Sequence, residues 1–273
     1  GWRRLGRGRQ RPVFLVLLHS VCPAPYVSAP REIRERFLAG RRASDLAPRV
    51  GAGFDDLIDR LDSMRSGPRK LSASMRVFRA LRGRFWDGVD LSRPAHRRHL
   101  LALYDAGAAF ADHLLGRVLE ILEREDAARD TLVVFLSDHG EEFHEHGGRE
   151  HGRLFIEQLH VPLVIRFPRA AGVAPRRVAP TVRLLDVAPT ILDAAGLPIP
   201  AAMQGRSLLP AARGEPPRDA PPVLSYAGAD FARVRLELDG WSYSNGPTRR
   251  AERGLFHLAS DPLELADRAG EEP

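Results

Sequence analysis

Residues 130–151 read DTLVVFLSDHGEEFHEHGGREH. The first seven are an apolar, β-branched run with polar ends, which predicts a strand buried on both faces. It runs directly into Ser137-Asp138-His139-Gly140. In open α/β sheets, functional groups gather at the carboxyl ends of strands. A carboxylate and a neutral imidazole there can share a cation, Asp138 as a hard oxygen donor and His139 as a borderline nitrogen donor. Gly140 permits the sharp turn this needs. The plain alternative is an aspartate that caps the following turn. The rest of the stretch crowds His144, His146 and His151 together with Glu141, Glu142, Glu145 and Glu150. Asp138 and His139 are the expected metal ligands, and His151 is a candidate contact to a substrate oxyanion. His144 and His146 are expected to be solvated. His144-Glu145 opens like the zinc helix H-E-x-x-H, but Gly148 stands where the second histidine belongs, so that motif fails.

Working outward, Pro94–Arg124 reads as a long amphipathic helix with Leu100, Leu103, Tyr104, Phe110, Leu114, Val118, Ile121 and Leu122 on one stripe. Residues 161–165 (VPLVI) predict another strand, and residues 185–195 a helix stopped by Gly196 and Pro198. Residues 12–18 (PVFLVLL) predict a further doubly buried strand, with His19 at its carboxyl end. From there His19 could reach the rim that carries Asp138 and protonate a departing alkoxide as general acid; otherwise it is a hydrogen-bonded structural residue. Residues 33–88 carry little pattern. Alternating strands and helices predict an α/β domain with a mainly parallel sheet flanked by helices. Beyond about residue 214 the character changes. A proline-rich linker leads to the short runs VLSY, FARVRLEL, WSYS and LFHL, which predict a small C-terminal antiparallel subdomain. The expected division is residues 1–213 and 214–273.

The chain has 273 residues, enough to bury a sizeable core. Its formal net charge is +6, carried by arginines spread along the chain, with Lys70 the only lysine. Spread charge of this kind argues against a nucleic-acid surface and is compatible with a basic rim that attracts anionic substrates. Cys22 is the only cysteine, so neither an intrachain disulfide nor a cysteine metal site is available. No apolar run approaches the roughly 18 residues of a membrane span, and no secretory signal is seen at the start.

Six segments, in order, resemble the sulfatase family of the alkaline-phosphatase superfamily. They are residues 13–30 (VFLVLLHSVCPAPYVSAP), 103–123 (LYDAGAAFADHLLGRVLEILE), 131–148 (TLVVFLSDHGEEFHEHGG), 149–168 (REHGRLFIEQLHVPLVIRFP), 182–210 (VRLLDVAPTILDAAGLPIPAAMQGRSLLP) and 255–270 (LFHLASDPLELADRAG). The resemblance implies an alkaline-phosphatase-like fold and hydrolysis of a small-molecule or glycan sulfate ester with a divalent metal, Ca2+ foremost and Mn2+ or Zn2+ as alternatives. By position, Asp138 and His139 are the second pair of metal ligands. His151 holds the Lys/His position that contacts the sulfate or leaving group, and His19 is the leaving-group histidine. A periplasmic or extracellular setting goes with the family. The departures are specific. The first strand with its acidic ligands is absent, and so is the C/S-x-P-x-R motif whose Cys or Ser becomes the formylglycine nucleophile. Cys22 stands in C-P-A-P-Y and cannot replace it, Asp55-Asp56 follow no apolar strand, and Ala24 replaces a histidine of the family phrase. The chain is therefore expected to be N-terminally incomplete and inactive alone. Two alternatives stand beside this reading. One keeps the superfamily as a phosphodiesterase, phosphonate-ester hydrolase or phosphoethanolamine transferase; the other is a non-catalytic remnant.

Overall fold

The computed structural model describes residues 13–19, 24, 26–39, 82–83, 85–215, 222–228, 232–246 and 253–271. Cys22, Asp55, Asp56, Lys70 and most of the proline-rich linker lie outside the described residues. The chain divides into two compact units: residues 1–87 with 102–111, and residues 88–101 with 112–273.

In the first unit, Tyr26, Val27 and Ala29 are fully buried. The Tyr26 ring meets Tyr104 and Phe85 edge-on, at 6.0 and 6.5 Å. Helix α1 (Arg31–Leu38) follows. Its Arg34 is buried and donates to the carbonyls of Val27 and Ala29, at 3.0 and 2.5 Å. These bonds hold the irregular segment before α1 in place. The run at 12–18 departs from expectation. Residues 13–18 form no strand, and their side chains are exposed, from 44% at Val13 to 90% at Leu18. A doubly buried strand needs neighbours to bond its N–H and C=O groups and to cover both faces. The described residues supply no such neighbours to this run.

Helix α2 (Pro94–Arg124) begins with proline in its first turn, where a missing N–H costs nothing. The chain leaves it through Ala127 and Ala128, whose N–H groups both return to the Leu122 carbonyl. In the second unit, β1 (Val133–Leu136) pairs antiparallel with β2 (Leu163–Arg166), with Leu136 opposite Leu163. Between them lie a long loop and the single turn of α3 (Ile156–Leu159). Parallel pairing would need a crossover that carries the chain back to the start of β1. Here residues 137–162 stay at the carboxyl end of β1, and β2 starts there. Both sheets among the described residues are antiparallel, so the mainly parallel sheet is not seen. Nor is β1 doubly buried: Leu136 is 39% exposed.

A 3-10 turn (Leu184–Asp186) leads into helix α4 (Val187–Ala194). Gly196 adopts φ +69° after it, and the Leu197 N–H bonds back to the Leu192 carbonyl, the expected stop. Buried Asp186 gathers the Arg183 and Arg206 N–H groups and the Arg183 guanidinium. Buried Thr190 accepts from the Leu208 N–H. These bonds seat the G-R-S-L turn on α4. Helix α5 (Leu209–Arg213) follows, then a meander of β3 (Val223–Ala227), β4 (Arg233–Leu238), β5 (Trp241–Asn245) and β6 (Gly254–His257). This is the antiparallel sheet read from the short terminal runs. Asp239 and Gly240, at φ +49° and +79°, make the two-residue hairpin turn that suits twisted strands. Inside, Arg235 is bonded to Glu264, and both are buried. No helix among the described residues is long and apolar enough to cross a membrane.

Candidate functional site

Loop 137–158 begins where β1 ends. Ser137 Oγ donates to the His139 carbonyl at 2.8 Å, and Asp138 accepts the His139 N–H at 3.1 Å, which makes a tight turn. Gly140 donates to the Gln158 carbonyl at 2.8 Å. A Cβ on Gly140 would stand 2.1 Å from the Glu157 carbonyl oxygen, so only glycine lets the two backbones meet. Glu142 and Glu150 exchange both backbone N–H bonds, at 2.7 and 3.1 Å, closing the loop into a hairpin. That closure returns His151 to the side of His139: their rings lie 3.9 Å apart, tilted by 33°.

The hydrogen bonds assign the protons. His139 Nδ1 faces the Gly140 carbonyl at 2.8 Å, and a carbonyl only accepts. Nδ1 therefore carries the proton, and Nε2 of the neutral ring carries the lone pair. The Asp138 carboxylate lies 3.9 Å from that Nε2, with 80% of the Asp138 side chain exposed. His151 Nδ1 donates to Glu141 Oε1 at 2.8 Å; the His151 side chain is 42% exposed, that of Glu141 only 4%. Asp138, His139 and His151 thus share one turn of the structure. His19 is not on this loop. It lies in the first unit, exposed, with its ring edge-on to Phe110 at 5.8 Å.

Two residues escape sequence reading. Glu141 supports His151 and, with His139 and His151, forms a trio whose donor atoms lie within 4.8 Å of one another. Its signal is faint, one glutamate among five in the loop. His146 is the second, expected at the surface but found part-buried, its side chain 10% exposed. Its Nδ1 faces Glu157 at 3.2 Å and its Nε2 the Glu264 carbonyl at 2.9 Å. The carbonyl accepts, as does an ionised Glu157, so the two bonds favour a ring protonated on both nitrogens. Burial, the largest single influence, pulls its pKa down. The bonds to Glu157 and Glu264 and the charges of Glu157 and Glu142 together outweigh burial, and the net shift is upward. The ring stacks on Phe155 at 3.7 Å.

Beside it, fully buried Glu142 accepts from the N–H groups of His146 and Gly148, the Arg153 guanidinium and the Gln158 amide. A Cβ on Gly148 would fall 2.5 Å from Glu142 Oε2 and Arg153 Nη1, so a side chain there would push this network aside. Glu142, His146 and Glu157 also stand close enough to surround an ion. With both His146 nitrogens engaged in hydrogen bonds to the protein, that group reads as a structural knot. An open depression of about 340 Å³ lies against the outer turn of the loop, lined by Arg97, Arg98, Phe143, His144 and Glu145 among others.

The family model described as Sulfatase matches residues 23–197, more than half of the chain. Arylsulfatase K of Xenopus laevis is 32% identical over 191 residues, which are 64% of this chain and 35% of that protein. The chain thus spans about a third of the length of the curated relatives it matches. Among solved structures, the phosphonate monoester hydrolase of Agrobacterium radiobacter is 28% identical at a TM-score of 0.56, covering 64% of this chain and 38% of that one. A 2-O GAG sulfatase is 25% identical at a TM-score of 0.57, covering 66% of this chain and 40% of its own.

Proposed function

Since this chain belongs to the sulfatase family, we propose that it carries half of the active site of a metal-dependent hydrolase of sulfate esters, with residues 1–213 catalytic and 214–273 a supporting subdomain. One observation carries the reading. At the end of β1, an exposed carboxylate and a lone-pair Nε2 stand 3.9 Å apart, beside a second imidazole braced by a buried glutamate.

Asp138 and His139 would hold a divalent ion. Their donor atoms fit one: the carboxylate is open to solvent, and the His139 tautomer is set by the Gly140 carbonyl. When bound, the ion supplies charge neutralisation on the transferred group. His151 donates Nδ1–H to Glu141, which leaves Nε2 for the substrate. A sulfate oxygen only accepts, so His151 makes that contact as the imidazolium, with Glu141 as its counter-charge. His19 is assigned the proton for the departing alcohol. Arg97 and Arg98 in the depression beside the loop suit an anionic, sulfated sugar, the class named for the 2-O GAG sulfatase. The sequence holds no C/S-x-P-x-R motif, so the chain by itself is assigned no turnover. A periplasmic or extracellular setting accompanies the family reading.

In the whole protein, Asp138→Ala is expected to lower turnover of an aryl sulfate roughly a thousandfold, about 4 kcal/mol of transition-state stabilisation. Near-native turnover by the folded variant would overturn the assignment. One observation favours a second ester class. An imidazole ligand suits Mn2+ or Zn2+ better than Ca2+, and the phosphonate monoester hydrolase shares 28% identity. Comparing kcat/KM for an aryl sulfate and an aryl phosphonate ester decides between the two.

A further inference from the structure

We propose that His139, Glu141 and His151 form a binding site for a borderline transition ion, Zn2+ foremost, in a set that excludes Asp138, and that filling it takes His151 away from the substrate. The inhibition rests on the reading of His151 as a substrate contact; the binding itself does not.

Four observations carry the site. Each of the three side chains offers a donor atom within 4.8 Å of the other two. Ligand atoms about 2.1 Å from a tetrahedral ion stand roughly 3.4 Å apart, so rotations of about an ångström close the set. Second, two imidazoles and one carboxylate are the donors that Zn2+, Ni2+ and Cu2+ favour, whereas Ca2+ asks for six or more oxygens. Third, His139 already has the outer bond that metal-ligating histidines use, Nδ1–H to a backbone carbonyl at 2.8 Å, which fixes Nε2 as the ligand atom. Fourth, the trio is preorganised. The two backbone bonds between Glu142 and Glu150 hold His151 against His139, and Glu141 is buried, its carboxylate confined to a narrow range of positions. A buried carboxylate gains most from a cation that meets it without water between.

Asp138 competes for the same lone pair. Its carboxylate is 80% exposed and 3.9 Å from His139 Nε2, but it is not among the donors that all lie within 4.8 Å of one another, so an ion centred among the trio takes that nitrogen without Asp138. Hard, oxygen-seeking ions follow Asp138, and borderline ions follow the second imidazole. In the whole protein, Zn2+ held there would compete with the substrate for His151, each weakening the binding of the other.

The test uses the chain as it stands, stripped with chelator and titrated calorimetrically with ZnCl2 alone. One Zn2+ per chain is expected. His151→Ala should weaken it by about tenfold or more; its ring is 42% exposed, so folding, checked by circular dichroism, should survive. Glu141→Gln should weaken it similarly, and Asp138→Asn should leave it within about threefold. Zn2+ binding that is lost in Asp138→Asn and retained in His151→Ala would overturn the proposal and favour the Asp138–His139 pair. Absence of stoichiometric binding would overturn it while leaving the sulfatase reading intact.

Discussion

Two histidine groups sit on one loop and do opposite things. His139 and His151 are part-exposed, and each has one nitrogen on an acceptor and the other left over. His146, between them in sequence, is more enclosed, with both nitrogens on acceptors. The first arrangement leaves a lone pair or a spare proton for chemistry; the second uses the whole ring as a bracket. The difference teaches that an imidazole's role follows from its inventory of partners. All three sit in the same charged stretch of sequence.

The contrast can be broken most forcefully at Glu264. That residue holds the bracket twice, with its carbonyl on His146 and its carboxylate on Arg235, Ser242 and the Ile156 N–H. Glu264→Ala removes the nearer carboxylate partner of the buried Arg235 guanidinium, which keeps Glu237 and the Leu154 carbonyl, and should cost about 3 kcal/mol of unfolding free energy in urea titration. A loss under 1 kcal/mol would mean that the Glu264 carboxylate does not bear on stability. His146→Ala removes the smaller part, leaving Glu157 and a carbonyl unsatisfied, and should cost about 1–3 kcal/mol. His151→Ala takes one partner from buried Glu141 but removes a ring that is 42% exposed, and should cost the least of the three, about 1 kcal/mol.

A pH series sharpens the same comparison. His146 binds its proton more tightly folded than unfolded, so the folded state carries more protons once pH passes the ordinary histidine value of 6.5. Its contribution is fully present below that value and is lost as pH rises through the higher folded value. Unfolding free energy should fall across that window, and His146→Gln should flatten the fall. An unchanged slope in the variant would remove His146 as its source.

Where bonding is local, the sequence is readable. Strand β1 with its Ser-Asp-His-Gly turn, the proline that opens α2 and the Gly196 stop of α4 all rest on neighbours a few residues away. The same reading fails where partners are remote. His146 looks like a surface residue because the carbonyl that buries it belongs to Glu264, 118 positions on. Glu141 and Glu142 are adjacent glutamates with different tasks, separated only by which side of the hairpin they face. Residues 13–18 have the composition of a doubly covered strand, yet their apolar side chains are exposed, because composition reports what a segment would bury and not whether anything covers it. Alternation of strands and helices does not reveal that 137–162 turns back on the spot and pairs β2 antiparallel to β1.

The span from His146 to Glu264 also sets a clock. A ribosome adding about 5–20 residues per second needs roughly 6–24 s to travel those 118 positions. Throughout that interval the nascent chain displays its acidic, histidine-rich loop without the clasp that will close it, so whatever attends the emerging polypeptide meets the reactive side of this protein before its supporting side exists.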